Sequence, residues 1–290
     1  DFAFIMGYPG TTTRYMTSFE LKYTMDSENP NRAKIRGLKQ SIWKKDMDSN
    51  TEIRIKYASK HARSANYWKY YIGQSKGLKR LDVQTQKQEL EDRFRTWMNE
   101  DPARAKEYEG TLEMISEYYD DTNASVRGKV YALEAGLIGC DISLFAFRFY
   151  RMAAGLFSED AEEVAATQAA MTDYTNGHFR EYDQATDRDL FVNLMTKFQN
   201  DIDPAYHPSF FSIVADKYKN DFGRYADKMY AKSFLVDAKR CADFIANPSQ
   251  KTMDKDLAIV VGNSAIQTYF AGMANPAEAK FNRGYRLFVK

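Results

Sequence analysis

Basic and aromatic side chains are concentrated between Ile53 and Leu81, and this segment has residue types suited to ligand binding. Its eight basic residues are Arg54, Lys56, Lys60, Arg63, Lys69, Lys76, Lys79 and Arg80, and it contains no acidic residue. Its interleaved aromatic residues are Tyr57, Tyr67, Trp68, Tyr70 and Tyr71. The next segment, 82–121, carries twelve acidic and five basic residues, so charge is segregated along the chain. Phosphate binding is one interpretation of this pattern, and solvated helix faces are the other.

Asn66 is the residue of this segment that we single out as a candidate binding group. In a helix, the three-and-four spacing places it on a face of mostly small residues. That face contains Ile55, Ala58, Ala62, Ala65, Asn66, Lys69 and Gly73. An amide there can accept hydrogen bonds from a ligand's N–H groups and donate to its carbonyl. The alternative is structural: the small residues admit a neighbouring helix, and Asn66 binds a backbone group.

No catalytic arrangement is evident elsewhere in the sequence. Gly262-Asn263-Ser264 lacks the second glycine of a nucleophile elbow and lies in a helical pattern, where that motif needs a strand-to-helix turn. Paired acids such as Asp120-Asp121 are sequence neighbours, which places them on different helix faces. His61, His178 and His207 lack metal-binding spacing. We therefore expect no catalytic residue, no metal and no cofactor among these residues.

The two cysteines, Cys140 and Cys241, lie far apart in apolar, helix-periodic surroundings. Two cysteines in a chain of this size make neither a disulfide framework nor a zinc site. Two buried free thiols are the favoured interpretation, and a single long-range disulfide is the alternative.

Helical periodicity dominates the chain. It predicts a nearly unbroken helix from Thr51 to about Met98, with Gly73 and Gly77 as the weak points. It also predicts a long apolar helix from Ser125 to Leu156, and it predicts that Asn176-Gly177 ends a helix. Because no unbroken heptad pattern follows the long helices, we expect packed helical hairpins. The predicted fold class is all-α, with long antiparallel helices.

Residues 2–6 are the exception, because this apolar run, Phe-Ala-Phe-Ile-Met, predicts a β-strand ended by the turn Gly7-Tyr8-Pro9-Gly10. A single strand leaves backbone N–H and C=O groups unpaired, and no later segment offers a partner. We therefore expect these residues to be part of a longer protein with a β-domain. The expected organisation is a strand and connector at 1–15 and an α-helical domain at 16–290.

The overall composition narrows the classes of partner. Hydrophobic residues make up 44% and charged residues 28% of the chain, and the net charge is +1. This composition is typical of a globular protein, and the small net charge creates no global field for nucleic acid or membrane. Apolar runs fall far short of the ~20 residues that a membrane helix needs. We therefore expect no membrane partner and no nucleic-acid partner, with 53–81 as the local region where the latter stays open.

Two stretches carry a resemblance to a known family. The first is residues 2–15, with the run Gly-Tyr-Pro-Gly-Thr-Thr-Thr-Arg-Tyr, and the second is Ala65-Asn66-Tyr67-Trp68-Lys69, followed by Gly73 and Lys76-Gly77-Leu78. Over its whole length the chain resembles the bacterial serine dipeptidyl-peptidases 7 and 11 and their dipeptidyl aminopeptidase relatives. The resemblance implies a chymotrypsin-like double β-barrel with a large inserted α-helical domain. Residues 2–8 would be a barrel strand, and the helical insert would begin near Met16.

The resemblance also implies a function. In this family the catalytic His and Asp precede the insert and the Ser follows it, so these residues alone are expected to be inactive. The helical domain is a cap over the cleft of an enzyme that releases dipeptides from a free N-terminus. Asn66 matches the family's asparagine that binds the substrate α-ammonium. The implied partners are a peptide and the protein's own barrel domain, a homodimer stays open, and the implied location is periplasmic, cell-surface or secreted.

Two other functions stay open from the sequence. One is a helical nucleic-acid-binding module that uses Ile53 to Leu81, for which phosphate contacts predict steep salt dependence. The other is a structural or oligomerisation module whose helices form a subunit interface. Within the resembled family, preference for the penultimate substrate residue is set largely near the nucleophile, outside the expected content of this chain.

Overall fold

The computed structural model describes residues 2–4, 6, 12–120, 123–272 and 277–290, and helices connected by short turns account for most of them. The α-helices are, in chain order, α1 (Ser18–Tyr23), α2 (Asn29–Ser49), α3 (Thr51–Arg80), α4 (Val83–Asn99), α5 (Pro102–Glu107), α6 (Thr111–Asp120), α7 (Asn123–Tyr131), α8 (Asp141–Met152), α9 (Ala161–Arg180), α10 (Gln184–Asp201), α11 (Phe210–Tyr218), α12 (Phe222–Lys232), α13 (Ala238–Ala246), α14 (Gln250–Asp254), α15 (Leu257–Ala271) and α16 (Glu278–Val289). Two π-helical segments (Thr24–Glu28, Ala132–Leu137) and three 3-10 segments (Ala153–Phe157, Pro204–Tyr206, Phe234–Val236) join some of them. The described ranges contain no strand, which confirms the all-α prediction.

The predicted N-terminal strand is not tested by this structure. Residues 2–4 and 6 have no regular secondary structure, and Ile5 and residues 7–11 lie outside the described residues. Phe2, Phe4 and Met6 are 94%, 73% and 83% exposed, so most of their surface is open to solvent in the described chain. The strand, and the division into 1–15 and 16–290, stay predictions.

The helix predicted over 51–98 is two helices, and its break was predicted at the wrong residues. The interruption falls at Asp82, whose φ of 49° is in the left-handed region. Gly73 and Gly77 lie inside α3, and a Cβ at either position would have open space around it. A glycine in an exposed helix costs only about 1 kcal/mol relative to alanine, so α3 continues through both.

The long apolar helix predicted over 125–156 is also interrupted, at 138–140. Val126–Leu137 and Asp141–Phe157 are apolar enough together to resemble a membrane span, but they meet at a 90° bend. No single helix within the described ranges combines the length and apolar character that a bilayer crossing requires. Asn176-Gly177 was wrongly predicted to end a helix, because α9 runs through both residues to Arg180.

The chain divides into two compact units, and the first comprises Asp1–Asp26, Ser75–Asp121 and Pro276–Lys290. Within this unit α16 packs along α6 so closely that a Cβ at Gly284 would lie 2.7 Å from the carbonyl oxygen of Thr111. The buried Glu91 carboxylate accepts hydrogen bonds from the backbone N–H and the hydroxyl of Ser18, both at 2.6 Å. This side chain therefore ties α4 to the first turn of α1.

The second unit comprises Ser27–Gln74 and Thr122–Asn275 and contains the larger core. Its largest fully buried side chains include Tyr57, Tyr131, Phe145, Phe149, Phe191, Phe198, Phe210, Phe222 and Tyr225. Helix α15 crosses α8 at Gly262, where a Cβ would lie 2.6 Å from the carbonyl oxygen of Ser143. Cys140 and Cys241 are both buried in this unit as free thiols, which confirms the favoured interpretation of the two cysteines.

Candidate functional site

In the second unit, helix α2 and the residues of α3 up to Gln74 form an antiparallel hairpin, which positions most of the basic and aromatic segment. Near the open end of the hairpin, the amide of Asn29 donates to Gln74 at 2.9 Å. Close to the connecting turn, the rings of Trp43 and Tyr57 lie 5.8 Å apart. Tyr57 is fully buried, so one face of α3 is held against the core. The opposite face of α3 is therefore free to contact a ligand or another domain.

Asn66 lies on that outer face of α3. Ala58, Ala62, Lys69 and Gly73 on the same face are exposed, and Asn66 is exposed with them. Ile55 on this face is 76% exposed, although it is a large apolar residue. No helix of the second unit covers this face, so the structural alternative proposed for the small residues does not apply within the unit.

The amide of Asn66 makes no hydrogen bond within the part of the chain that the structure describes. The structural interpretation of this residue predicted a hydrogen bond to a backbone group. Its carbonyl oxygen and its NH₂ group are both available to an incoming ligand. Because the side chain is carried by a long regular helix, its position is fixed at the backbone even without a hydrogen bond of its own.

The basic residues of the segment are partly neutralised by carboxylates of the second unit. Lys56 pairs with Glu52 at 2.8 Å, Arg54 contacts Asp48 at 3.4 Å, and Lys60 pairs with Asp141 at 2.8 Å. These three ion pairs reduce the positive charge that the sequence displays. The segment is therefore a weaker candidate for phosphate binding than its composition indicates.

Glu134 is a buried anion that holds two arginines of α2. Its carboxylate is 3% exposed and pairs with Arg32 at 2.6 Å and with Arg36 at 2.9 Å. The guanidinium of Arg36 also lies over the ring of Tyr67, 5.1 Å from its centre, and so connects α2 to α3. No local sequence pattern predicts this cluster, because Glu134 is far from α2 along the chain.

Lys60 and Asp141 connect α3 to the first residue of α8, and a buried carboxylate positions that residue in turn. Asp187 accepts a hydrogen bond from the backbone N–H of Asp141, and another from that of Ile142 at 3.1 Å. Burial, followed by the charge of Asp141, raises the pKa of Asp187 to about 7. Asp187 thus acts as the N-terminal cap of α8, since Cys140 makes no side-chain cap bond of its own.

Ser264 and His178, both considered in the sequence, have structural environments. Ser264 is buried in α15, where its hydroxyl lies 3.0 Å from that of Ser209 and accepts from the backbone N–H of Phe210 at 3.1 Å. The ring of His178 stacks on that of Phe145, with 3.8 Å between centres. Among the described residues, no group of three or more His, Cys, Asp or Glu side chains has the geometry of a metal site.

Comparison with known proteins shows relatives along the whole chain. Residues 1–290 match the family described as Peptidase S46. The chain is 29% identical over 289 residues to dipeptidyl-peptidase 7 of Porphyromonas endodontalis, covering 97% of this chain and 34% of that protein. It is 30% identical to dipeptidyl-peptidase 7 of Porphyromonas gingivalis, covering 99% of this chain and 40% of that protein.

A solved structure has the same fold. The crystal structure of Porphyromonas endodontalis DPP11 in complex with the dipeptide Arg-Glu matches with a TM-score of 0.79 and 21% identity, over 98% of this chain and 40% of that one. The chain thus spans well under half the length of the relatives it matches. Because the family match extends over every residue, this chain belongs to the peptidase S46 family.

Proposed function

We propose that this chain is the α-helical cap part of a serine dipeptidyl-peptidase that releases dipeptides from the free N-terminus of peptides. Its family membership and the names of two matched relatives, both dipeptidyl-peptidase 7, support this reaction. In this proposal the catalytic triad lies outside these residues. The buried, hydrogen-bonded Ser264 supports that view, because a nucleophile must be reachable by substrate.

The proposed role of Asn66 is to accept a hydrogen bond from the α-ammonium group of the substrate. The observation that carries this proposal is an exposed amide without a partner in the described chain, on an outer face of α3 that no helix of its unit covers. Such an amide oxygen can accept a charge-assisted hydrogen bond, which is roughly twice as strong as a neutral one. The family resemblance of the Ala65–Lys69 context supports the same assignment.

The charges around Asn66 place a condition on this role. Arg63 and Lys69 flank it on α3, and the segment 53–81 has no acidic residue. A cationic ammonium group beside these side chains is disfavoured unless carboxylates compensate it. We therefore propose that acidic acceptors on the barrel domain supply the countercharge. Asn66 would fix the position and orientation of the ammonium group through its hydrogen bond.

Separate roles for the barrel domain and the helical cap account for dipeptide release. The barrels would supply the triad and the oxyanion hole, and the cap would limit how far a peptide extends before its N-terminus meets polar groups. A peptide whose ammonium group is bound would then present its second peptide bond to the nucleophile. The periplasmic, cell-surface or secreted location implied by the family resemblance is part of the same proposal.

The experiment that tests this function is dipeptide release by the intact protein and its Asn66→Ala variant. We expect KM to rise by about five- to 150-fold, which corresponds to ~1–3 kcal/mol for a lost hydrogen bond to a charged group, with unchanged folding. Asn282→Ala is the matched control, because Asn282 is also an exposed asparagine on a helix. Equal kinetics for the Asn66 variant and the wild type would remove Asn66 from the site, and absence of dipeptide release by the wild type would refute the proposed function.

A further inference from the structure

Helices α2 and α3 border an open cavity to which the proposed function assigns no role. Its volume is about 390 Å³, and its lining comes from α2, α3 and the segment that precedes and begins α8, all in the second unit. Cavities of this size bind small ligands in many proteins. We name it the basic cavity, after Arg36, Lys39, Lys60 and Arg63 in its lining.

The positive charge of the basic cavity is only partly compensated. Arg36 pairs with Glu134, and Lys60 pairs with Asp141, which also lines the cavity. Lys39 and Arg63 have no carboxylate within ion-pair distance among the residues that the structure describes. Lys39 and Arg63 therefore face the cavity without a direct ion pair of their own, although the Asp141 carboxylate lies in the same lining.

Lys39 is held in a position that keeps its charge near this volume. Its ammonium group donates to the backbone carbonyl of Ile138 and lies 4.6 Å from the centre of the Trp43 ring. Burial lowers the pKa of Lys39, the nearby charges of Asp141 and Glu134 oppose that shift, and the charge of Arg36 adds to it. A partly desolvated ammonium group of this kind is stabilised by an anion placed beside it.

Two buried N–H groups of the lining residues also lack acceptors. Arg36 Nε and Trp43 Nε1 are inaccessible to solvent and have no hydrogen-bond partner among the described residues. Trp43 is only 2% exposed, so its indole is almost wholly within the protein. Neither N–H group is open to the cavity in this arrangement of side chains, so a bound ligand would contact the ammonium and guanidinium groups of the lining instead.

We propose that the basic cavity binds the carboxylate group of a peptide. A carboxylate supplies acceptor oxygens and a negative charge for the ammonium group of Lys39 and the guanidinium group of Arg63. The ring of Tyr67, which is 48% exposed, offers apolar surface for the carbon atoms that carry the carboxylate. The choice of a peptide as the carrier rests on the proposed function, whereas the preference for an anion rests on the cavity alone.

The test uses three blocked dipeptides and calorimetry on the intact protein. Acetyl-Ala-Glu-amide carries only a side-chain carboxylate, acetyl-Ala-Gln carries only a C-terminal carboxylate, and acetyl-Ala-Gln-amide carries none. None of them has an ammonium group, so their binding does not report on Asn66. We expect at least one of the two acidic probes to bind about tenfold or more tightly than the uncharged probe. The stronger of the two identifies the source of the carboxylate.

Two substitutions locate the binding. Lys39→Met keeps the shape of the side chain and removes its charge, and we expect it to weaken binding of the acidic probe by about tenfold or more. Arg63→Gln alters an exposed side chain and serves as the second variant if Lys39→Met fails to fold. Lys79→Met is the control, because Lys79 is an exposed residue of α3 outside the cavity lining.

Three results would overturn the proposal: equal binding of all three probes, tighter binding of inorganic phosphate than of either acidic probe, or acidic-probe binding that the folded charge-removal variants leave unchanged. A protein that binds the acidic probes but releases no dipeptides would refute the proposed function and leave the cavity as an anion site. If the protein releases dipeptides but binds none of the three probes, the cavity proposal alone would be refuted.

Discussion

Tyr230 donates a hydrogen bond from its hydroxyl group to the carboxylate of Asp187, with 2.8 Å between the oxygens. Both residues are buried in the second unit, where the same carboxylate caps the N-terminus of α8. The capped residue Asp141 pairs with Lys60, which lines the basic cavity. A buried hydrogen-bond network therefore holds Asp141, and through it Lys60, in place in the cavity lining.

Asp187 should make the free energy of unfolding depend on pH, and the uncharged isostere in Asp187→Asn should remove that dependence. Its pKa is raised to about 7 by burial and by the charge of Asp141, above the value of an unfolded chain. The folded state then binds more protons, so the contribution of Asp187 to stability falls as pH rises from about 4 to about 7. We expect the wild-type protein to lose about 2 kcal/mol relative to Asp187→Asn between pH 5 and pH 8. Urea unfolding at both pH values measures this, and parallel pH profiles would contradict it.

His178 should have the opposite effect to Asp187 on the pH dependence of stability. Burial lowers its pKa to about 4, so the folded state holds it neutral while the unfolded chain takes up a proton. Its contribution to stability is present near neutral pH and is lost as pH falls from about 6.5 to about 4. Between pH 7 and pH 5 the wild-type protein should lose about 2 kcal/mol of stability through His178. We expect His178→Phe, which preserves stacking on Phe145, to remove this loss. Tyr182→Phe in the same aromatic cluster should leave the pH profile unchanged, and a shared change in both variants would exclude His178 as the cause.

Glu134→Gln tests the buried arginine cluster. Removing the charge leaves Arg32 and Arg36 without their shared anion, and breaking a buried pair costs about 3–5 kcal/mol. The matched control is Glu28→Gln, because Glu28 pairs with Arg32 at 2.9 Å but its side chain is 31% exposed. We expect the control to cost less than about 1 kcal/mol by chemical denaturation. Similar losses for the two variants would show that burial of Glu134 is not the determining factor.

Two glycines of the second unit should respond oppositely to alanine. At Gly262 the added Cβ would lie 2.6 Å from the backbone oxygen of Ser143, so α15 must move away from α8. We expect Gly262→Ala to lose at least about 1–3 kcal/mol of stability. At Gly73 the added Cβ has open space around it, and Gly73→Ala should gain about 0.5–1 kcal/mol. Thermal unfolding distinguishes the two, and a stabilised Gly262→Ala variant would contradict the close packing of these helices.

The fold class could be predicted from helical periodicity, but the helix breaks could not. The break after α3 depends on the positive φ of Asp82, a non-glycine residue whose conformation the sequence pattern does not indicate. Gly73, Gly77 and Gly177 were the expected weak points, yet all three lie within helices. A single exposed glycine is too small a penalty to end a long helix whose other residues favour it.

The candidate site could be predicted only where it is local in sequence. Asn66 and its small neighbours follow from three-and-four spacing on α3, and the structure places them together on an exposed face. The basic cavity could not be predicted in this way, because Lys39, Lys60 and Asp141 come from separate parts of the chain. The packing of α2, α3 and α8 brings them together, and the cap of α8 by Asp187 depends on a further long-range contact.

The most direct test of the central claim is a double-mutant cycle, in which Asn66 is changed in the protein and the α-ammonium group is removed from the substrate. The intact protein and its Asn66→Ala variant are compared on a peptide with a free α-amino group and on the same peptide with that group replaced by hydrogen. We expect the variant to lower kcat/KM by about 10- to 100-fold on the amino peptide and by less than about twofold on the other. Equal losses on both peptides, or no loss on either, would contradict the account of Asn66 as the acceptor for the substrate N-terminus.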